Sequence, residues 1–272
     1  MKEPVTVAAV QLNSQDDLEA NLARVRARLH EAADRGAALA VLPENFAFMG
    51  DEARKAEVAE DLDQGRGPVA SLLSETARTR RMWIVAGGMA ERAPDPKRPY
   101  NTCAVYSPSG EVSARYRKVH LFDVDVPMGG RYRESESTTA GGTPVVAEAA
   151  GIRLGLSVCY DLRFPELYRA LSSQGAEALV VPAAFTLHTG KDHWHVLLRA
   201  RAIEAQAYVI AAAQWGKHPK NRQTYGKSCV VDPWGEVIAQ AKEGEGIVTA
   251  TIDPAYLAQV RASLPALTHR RL

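Results

Sequence analysis

Residues 5–44 read VTVAAVQLNSQDDLEANLARVRARLHEAADRGAALAVLPE. The opening apolar run follows an acidic residue at Glu3 and turns polar by Gln11, which is too short for a signal peptide and the length of a strand. Leu18, Leu22, Val25 and Leu29 then recur at helical spacing between a capping candidate, Ser14 or Asp16, and Gly36. Residues 37–42 are continuously apolar and run into Pro43 and Glu44, so they predict a buried strand with a carboxylate at its end. This strand–helix–strand order predicts an α/β fold.

The pattern recurs along the chain. A helix is expected over residues 69–80 and a strand over 82–87. A hairpin follows, in which 103–106 turns through Pro108-Ser109-Gly110 into 112–119. Strands over 152–159, 178–182 and 207–213 alternate with helices over 164–173 and 192–206, and a last hairpin pairs 228–231 with 237–240. Hairpins among alternating elements imply a mixed sheet. Residues 51–67, 91–99 and 121–142 read as loops on the sheet edge, the last long enough to suspect a function. No Pro/Gly/Ser-rich linker and no repeat divides the chain, which predicts a single domain over 1–272.

Composition narrows the function. Hydrophobic residues are 46% and charged residues 24% of 272, as in ordinary soluble proteins. Lysine plus arginine is 33 against 32 acidic residues, a net charge of +1 that offers no footing for a phosphate backbone or an anionic membrane. The cysteine count of 3, at Cys103, Cys159 and Cys229, forms neither a disulfide framework nor a CxxC pair, and predicts a reducing, cytoplasmic setting.

Chemistry concentrates in IRLGLSVCYDLRFPEL, residues 152–167, where an apolar strand ends at Cys159 and Pro165 suits the first turn of a helix. A thiol at a strand end, near a helix N-terminus and a cation, would have its thiolate favoured, as a nucleophile requires. A lone cysteine with no other cue is more often a small buried hydrophobe. None of the 7 histidines stands in a Cys/His protease signature, and His193 and His195 point different ways from one helix. Glu44, at a strand end among apolar neighbours, is a better proton acceptor, and Lys118 at the end of another strand is a preformed cation for developing negative charge. Charged strand ends are also ordinary solvated residues.

The combination is more specific than its parts. LPENF around Glu44, YRKVHLFD around Lys118 and SVCYDLRFPELYR around Cys159 resemble, in order, the three catalytic blocks of the nitrilase superfamily of carbon–nitrogen hydrolases, and the likeness runs from Val5 to Arg271. The resemblance implies a four-layer α-β-β-α sandwich. It also makes Cys159 the nucleophile, Glu44 the general base and Lys118 the oxyanion cation, with the N–H of Tyr160 as second oxyanion donor. A further glutamate of the family falls on Glu134, with Glu136 as the competing position. The implied reaction is thiolate attack on an amide, expulsion of ammonia after protonation, and hydrolysis of the thioester, with no metal or organic cofactor.

Within the superfamily, residues 193–237 and the LPALTHRR segment near the end resemble the branch of deaminated-glutathione amidase and omega-amidase, which act on the terminal amide of small 2-oxo acids. Arg163 is the candidate partner of a substrate carboxylate, with a salt bridge to Asp161 or Glu166 as its structural alternative, and Phe185 and Thr189 are candidate pocket residues. The partner expected is a small amide, not nucleic acid or membrane. The helices over 164–173 and 192–206 resemble those through which members dimerise, implying a homodimer or higher homo-oligomer. The resemblance implies a further tail beyond the equivalent of His269-Arg270-Arg271-Leu272, and with it a contact across a dimer. An N-carbamoyl amino acid hydrolase and a non-catalytic scaffold are the competing functions.

Overall fold

The computed structural model describes residues 3–126 and 130–271. In its first half, strands β1 (Val5–Leu12), β2 (Leu39–Val41), β3 (Trp83–Glu91), β4 (Tyr100–Tyr106) and β5 (Val112–Arg117) lie beneath helices α1 (Leu18–Asp34) and α2 (Pro68–Arg80). β1, β2 and β3 are parallel, and β4 and β5 add antiparallel at the edge. The period-two alternation of a strand divides β1 between two cores. Ala8, Val10 and Leu12 pack with Leu22, Val25 and Leu29 of α1, whereas Val7 and Ala9 face the other half of the molecule. Each of these leucines and valines withdraws enough apolar surface to contribute about 1.5–3 kcal/mol.

A separate hairpin, β6 (Asp123–Val126) and β7 (Gly130–Arg133), precedes the second half. There β8 (Val146–Ala149), β9 (Ile152–Leu156), β10 (Ala178–Ala183) and β11 (Tyr208–Lys217) carry helices α3 (Pro165–Ser173) and α4 (Leu187–Ala205). β12 (Gln223–Tyr225), β13 (Cys229–Val231), β14 (Val237–Gln240) and β15 (Gly246–Ile252) follow, before α5 (Pro254–Ser263). β15 returns antiparallel to β1, and β1 pairs parallel with β11, so the halves are hydrogen-bonded as one sheet folded face to face. Helices outside and two sheet layers within make the expected α-β-β-α sandwich. Where β3 meets β10 the layers approach so closely that a Cβ on Gly87 would lie 2.1 Å from Pro182.

Several local expectations change. The cap of α1 is Asp17, whose side chain accepts from Ala20 N–H; the Ser14 hydroxyl donates to Phe46 O and its N–H to Gln214. The strand expected over 152–159 ends at Leu156, because the Val158 N–H is taken by Asp161 Oδ2 at 2.8 Å and Cys159 turns to φ +48°. α4 begins earlier than residue 192, capped by the Thr186 side chain. The segment 121–142 is not an edge loop: it holds β6 and β7, and its residues Phe122 and Tyr132, with Glu52 and Lys55, line a cavity. Residues 127–129 of that segment, and Met1, Lys2 and Leu272 at the ends, lie outside the described residues.

Candidate active site

Glu44 stands just past β2, where Gln214 Nε2 donates to its backbone carbonyl at 3.0 Å. Lys118 follows β5, its N–H donating to Asn101 O and its carbonyl accepting from Gly141. Glu134 opens a short 3₁₀ turn after β7, and Cys159 opens another after β9. Strand ends from both halves thus deliver the four side chains to one place.

The Lys118 ammonium donates to Glu44 Oε1 at 2.9 Å and to Glu134 Oε2 at 2.8 Å. Asn101 Nδ2 donates to both carboxylates, at 2.9 and 3.2 Å, and because carboxylates only accept, this orients its amide. The other oxygen of Glu44 accepts from Ala184 N–H at 3.0 Å, and Phe122 N–H donates to Glu134 at 2.8 Å. Glu136, by contrast, is exposed and takes no part in this cluster.

Two carboxylates around one ammonium leave the buried cluster negative, and the titration of Cys159 follows. Burial and then the Glu44 charge push its thiol well above the ordinary range, and Lys118 only partly opposes them. Glu44 is itself held low: burial favours its neutral form, but Lys118, joined by Lys55 and a hydrogen bond from Cys159, more than offsets it. Desolvation opposes the Lys118 charge, yet Glu134 and Glu44 raise it well above the usual lysine range. The three directions together favour thiol, carboxylate and ammonium. Burial and the Glu44 carboxylate, which is hydrogen-bonded to the thiol, therefore work against the expected stabilised thiolate, and Lys118 works for it.

These groups lie at the floor of a cavity of about 680 Å³ whose lining includes Glu44, Lys118, Glu134, Cys159, Tyr160, Arg163, Phe185 and Thr189. Arg163 makes neither of the salt bridges considered for it among the described residues. Asp161 is committed to Tyr116, His120 and Val158, while Arg163 lies 5.0 Å over the Phe185 ring and 3.2 Å from His193 Nδ1. Cations rim the mouth. Arg222 pairs with Glu52 at 2.8 Å and lies over the Tyr132 ring, and Lys220 pairs with Asp51.

Comparison with known proteins bears directly on this constellation. The sequence pattern of the carbon–nitrogen hydrolase family matches residues 6–262. The chain belongs to the carbon–nitrogen hydrolase family. It is 46% identical over 271 residues to the deaminated glutathione amidase of Synechocystis sp., covering 98% of each chain. Among solved structures, Saccharomyces cerevisiae Nit3, a member of branch 10 of the nitrilase superfamily, superposes with a TM-score of 0.89 at 32% identity, covering 99% of this chain and 97% of that one. A mutant amidase from Nesterenkonia sp., in which acrylamide has added to the active-site cysteine, superposes with a TM-score of 0.77 at 28% identity, covering 96% and 98%.

Reading the sequence of this carbon–nitrogen hydrolase missed Asn101 and Asp161. Asn101 lies at the start of β4 with no motif around it, and only the fold brings it between Glu44 and Glu134. Asp161 was in plain sight, two residues beyond Cys159, but its partners Tyr116 and His120 lie in another block. Cys103 and Cys229 are fully buried in β4 and β13, the thiol of Cys229 pushed up by burial to about 12.

Proposed function

We propose that this chain, one carbon–nitrogen hydrolase domain over residues 1–272, is a cysteine-dependent amidase. Its substrate is a small 2-oxo acid bearing a terminal amide, deaminated glutathione foremost. The meeting of Glu44, Lys118, Glu134 and Cys159 on the floor of one cavity carries the reaction class. The full-length likeness to the Synechocystis deaminated glutathione amidase supports the substrate.

In the proposed cycle the Cys159 thiol passes its proton to Glu44 as sulfur attacks the amide carbonyl, so no free thiolate accumulates. The oxyanion of the tetrahedral intermediate is stabilised by the Lys118 ammonium and the Tyr160 N–H, each donor worth about 3–4 kcal/mol in a preorganised site. Glu44 returns the proton to the leaving nitrogen and the intermediate collapses to a thioester. Water then attacks, losing a proton to Glu44, and the acid leaves with the thiol restored. Glu134 holds the lysine charged and in place. The leaving group follows the substrate: a primary amide releases ammonia, whereas deaminated glutathione, whose amide nitrogen belongs to cysteinylglycine, releases that dipeptide. Arg163 pairs with the 2-oxo acid carboxylate, and Phe185 and Thr189 line its seat. We place the enzyme in the cytoplasm as a homodimer formed through α3 and α4, whose exposed Val196 and Ile203 support a covered face. No helix among the described residues is long and apolar enough to cross a membrane.

The test is turnover of deaminated glutathione, 2-oxoglutaramate and an N-carbamoyl amino acid, with intact-mass detection of the acyl-enzyme. A 2-oxoglutaryl adduct on Cys159, faster turnover of deaminated glutathione than of the others and loss of both on Cys159→Ala are expected. Preference for 2-oxoglutaramate or the carbamoyl compound would replace the substrate, and an unacylated, inactive protein would overturn the amidase.

A further inference from the structure

Tyr116 and His120 stand two residues before and two after Lys118, and Asp161 stands two after Cys159. All three meet at one carboxylate. Asp161 is fully buried, and its Oδ2 accepts from the Tyr116 hydroxyl at 2.7 Å and from Val158 N–H at 2.8 Å. Its Oδ1 accepts from the His120 N–H at 3.1 Å and from His120 Nδ1–H at 2.7 Å. The Tyr116 oxygen in turn accepts from Val119 N–H at 3.2 Å, closing a ring around the residue that carries the ammonium. His120 is held flat against Phe164, with ring centroids 3.7 Å apart and planes 5° from parallel.

The chain on both sides of Lys118 and the peptide entering Cys159 therefore hang from a single charge. Asp161 is not among the residues lining the cavity, so it acts on a substrate only through others. Hydrogen bonds to a charged acceptor are the strong kind, and in a buried network they reinforce one another. Lys118 carries its nitrogen on a flexible four-carbon stem, so its alignment with Cys159 depends on how the two backbones are held. A shift of about 1 Å between reacting groups costs on the order of a hundredfold in rate.

We propose that Asp161 is a positioning residue that holds Lys118 in register with Cys159, with Tyr116 and His120 as the grips on the lysine side. This rests on the roles given above to Cys159 and Lys118.

Tyr116→Phe removes one hydroxyl and no charge; Asp161→Asn keeps the shape but puts an amide donor where only acceptors fit. Each variant and the pair together are to be assayed for kcat and KM, for the rate at which iodoacetamide labels Cys159, and for thermal stability. The expectation is a kcat about tenfold lower in Tyr116→Phe and about a hundredfold lower in Asp161→Asn, with KM within about twofold of the wild type. Labelling of Cys159 slows in Tyr116→Phe, because a displaced Lys118 favours the thiolate less. The double variant loses no more than Asp161→Asn alone, since the tyrosine works through the aspartate. A folded Tyr116→Phe with wild-type kcat and labelling, or losses that multiply in the double variant, would overturn the proposal. Should Asp161→Asn not fold, Tyr116→Phe decides by the same measure. A wild-type Cys159 labelled no faster than Cys103 and Cys229 would remove the active-site reading itself, an outcome distinct from an unaffected Tyr116→Phe.

Discussion

Lys118 and Glu134 form an ion pair of 2.8 Å with side chains only 2% and 9% exposed, and the same ammonium reaches Glu44. A buried charge is tolerated when it is paired and costly when its partner is removed. One cation serving two carboxylates makes the three positions unequal.

Glu134→Gln leaves one cation facing one anion, so the fold should tolerate it while the oxyanion cation loses its anchor. We expect kcat to fall about a hundredfold or more with a small change in melting temperature. Glu136→Gln, at an exposed position, stays within about twofold of the wild type. Lys118→Met leaves two buried carboxylates together and costs about 3–5 kcal/mol of stability besides the activity. Steady-state kinetics and denaturant melts of the three variants check this ordering.

Glu44 raises the Cys159 thiol, second only to burial, and serves as its proton acceptor in the proposed cycle. Its two roles separate in Glu44→Gln. Turnover disappears with the base, while labelling of Cys159 by iodoacetamide moves to lower pH because the thiolate has lost the carboxylate charge that raises it. Parallel loss of turnover and labelling across the pH series would contradict the assignment.

His218 is buried, its Nδ1–H donating to Ser14 O and its Nε2 accepting from the Thr224 hydroxyl, both at 2.7 Å. Burial lowers its pKa from 6.5 to about 4, so between those values the unfolded chain binds the proton and the folded chain does not. Stability therefore rises with pH across this window, and as pH falls from 6.5 to about 4 the protein loses at most about 3 kcal/mol through this group. Denaturant melts should show that loss in the wild type and a flatter profile in His218→Gln.

Arg163 lies over Phe185 at the cavity wall, 3.2 Å from His193 and without a carboxylate partner among the described residues. If its partner is the substrate carboxylate, Arg163→Ala raises KM about ten- to a hundredfold with a smaller effect on kcat, and Arg163→Lys recovers only part of the loss because an ammonium lacks the planar fork. An unchanged KM for a 2-oxo acid amide, with normal binding of its acid product, would move the carboxylate site elsewhere.

Strand and helix positions were legible because burial imposes periods on the chain. The spacing of Leu18, Leu22, Val25 and Leu29 on α1 and the run before Glu44 follow from which face must leave water. The hairpin of β6 and β7 was not, since Asp123–Val126 and Gly130–Arg133 are only four residues each, and so short an alternation does not stand out from a loop. β15 was missed although its residues GIVTATI are rich in β-branched side chains; what leaves no local signal is its pairing with β1 at the other end of the chain.

The sequence by itself determined the alternation of strands and helices, the order of the three blocks and, with Glu134 between the last two, the chemical kinds present: a thiol, two acids and an amine. Those are properties of residue type and periodicity, which a linear chain carries in full. Tertiary structure decided the rest: that Glu134 rather than Glu136 meets Lys118, that Asn101 bridges two carboxylates, and that burial and Glu44 weigh against the Cys159 thiolate. Each depends on distances of about 3 Å between segments far apart in the chain, and on a burial that makes a neighbouring charge worth several times what it is in water.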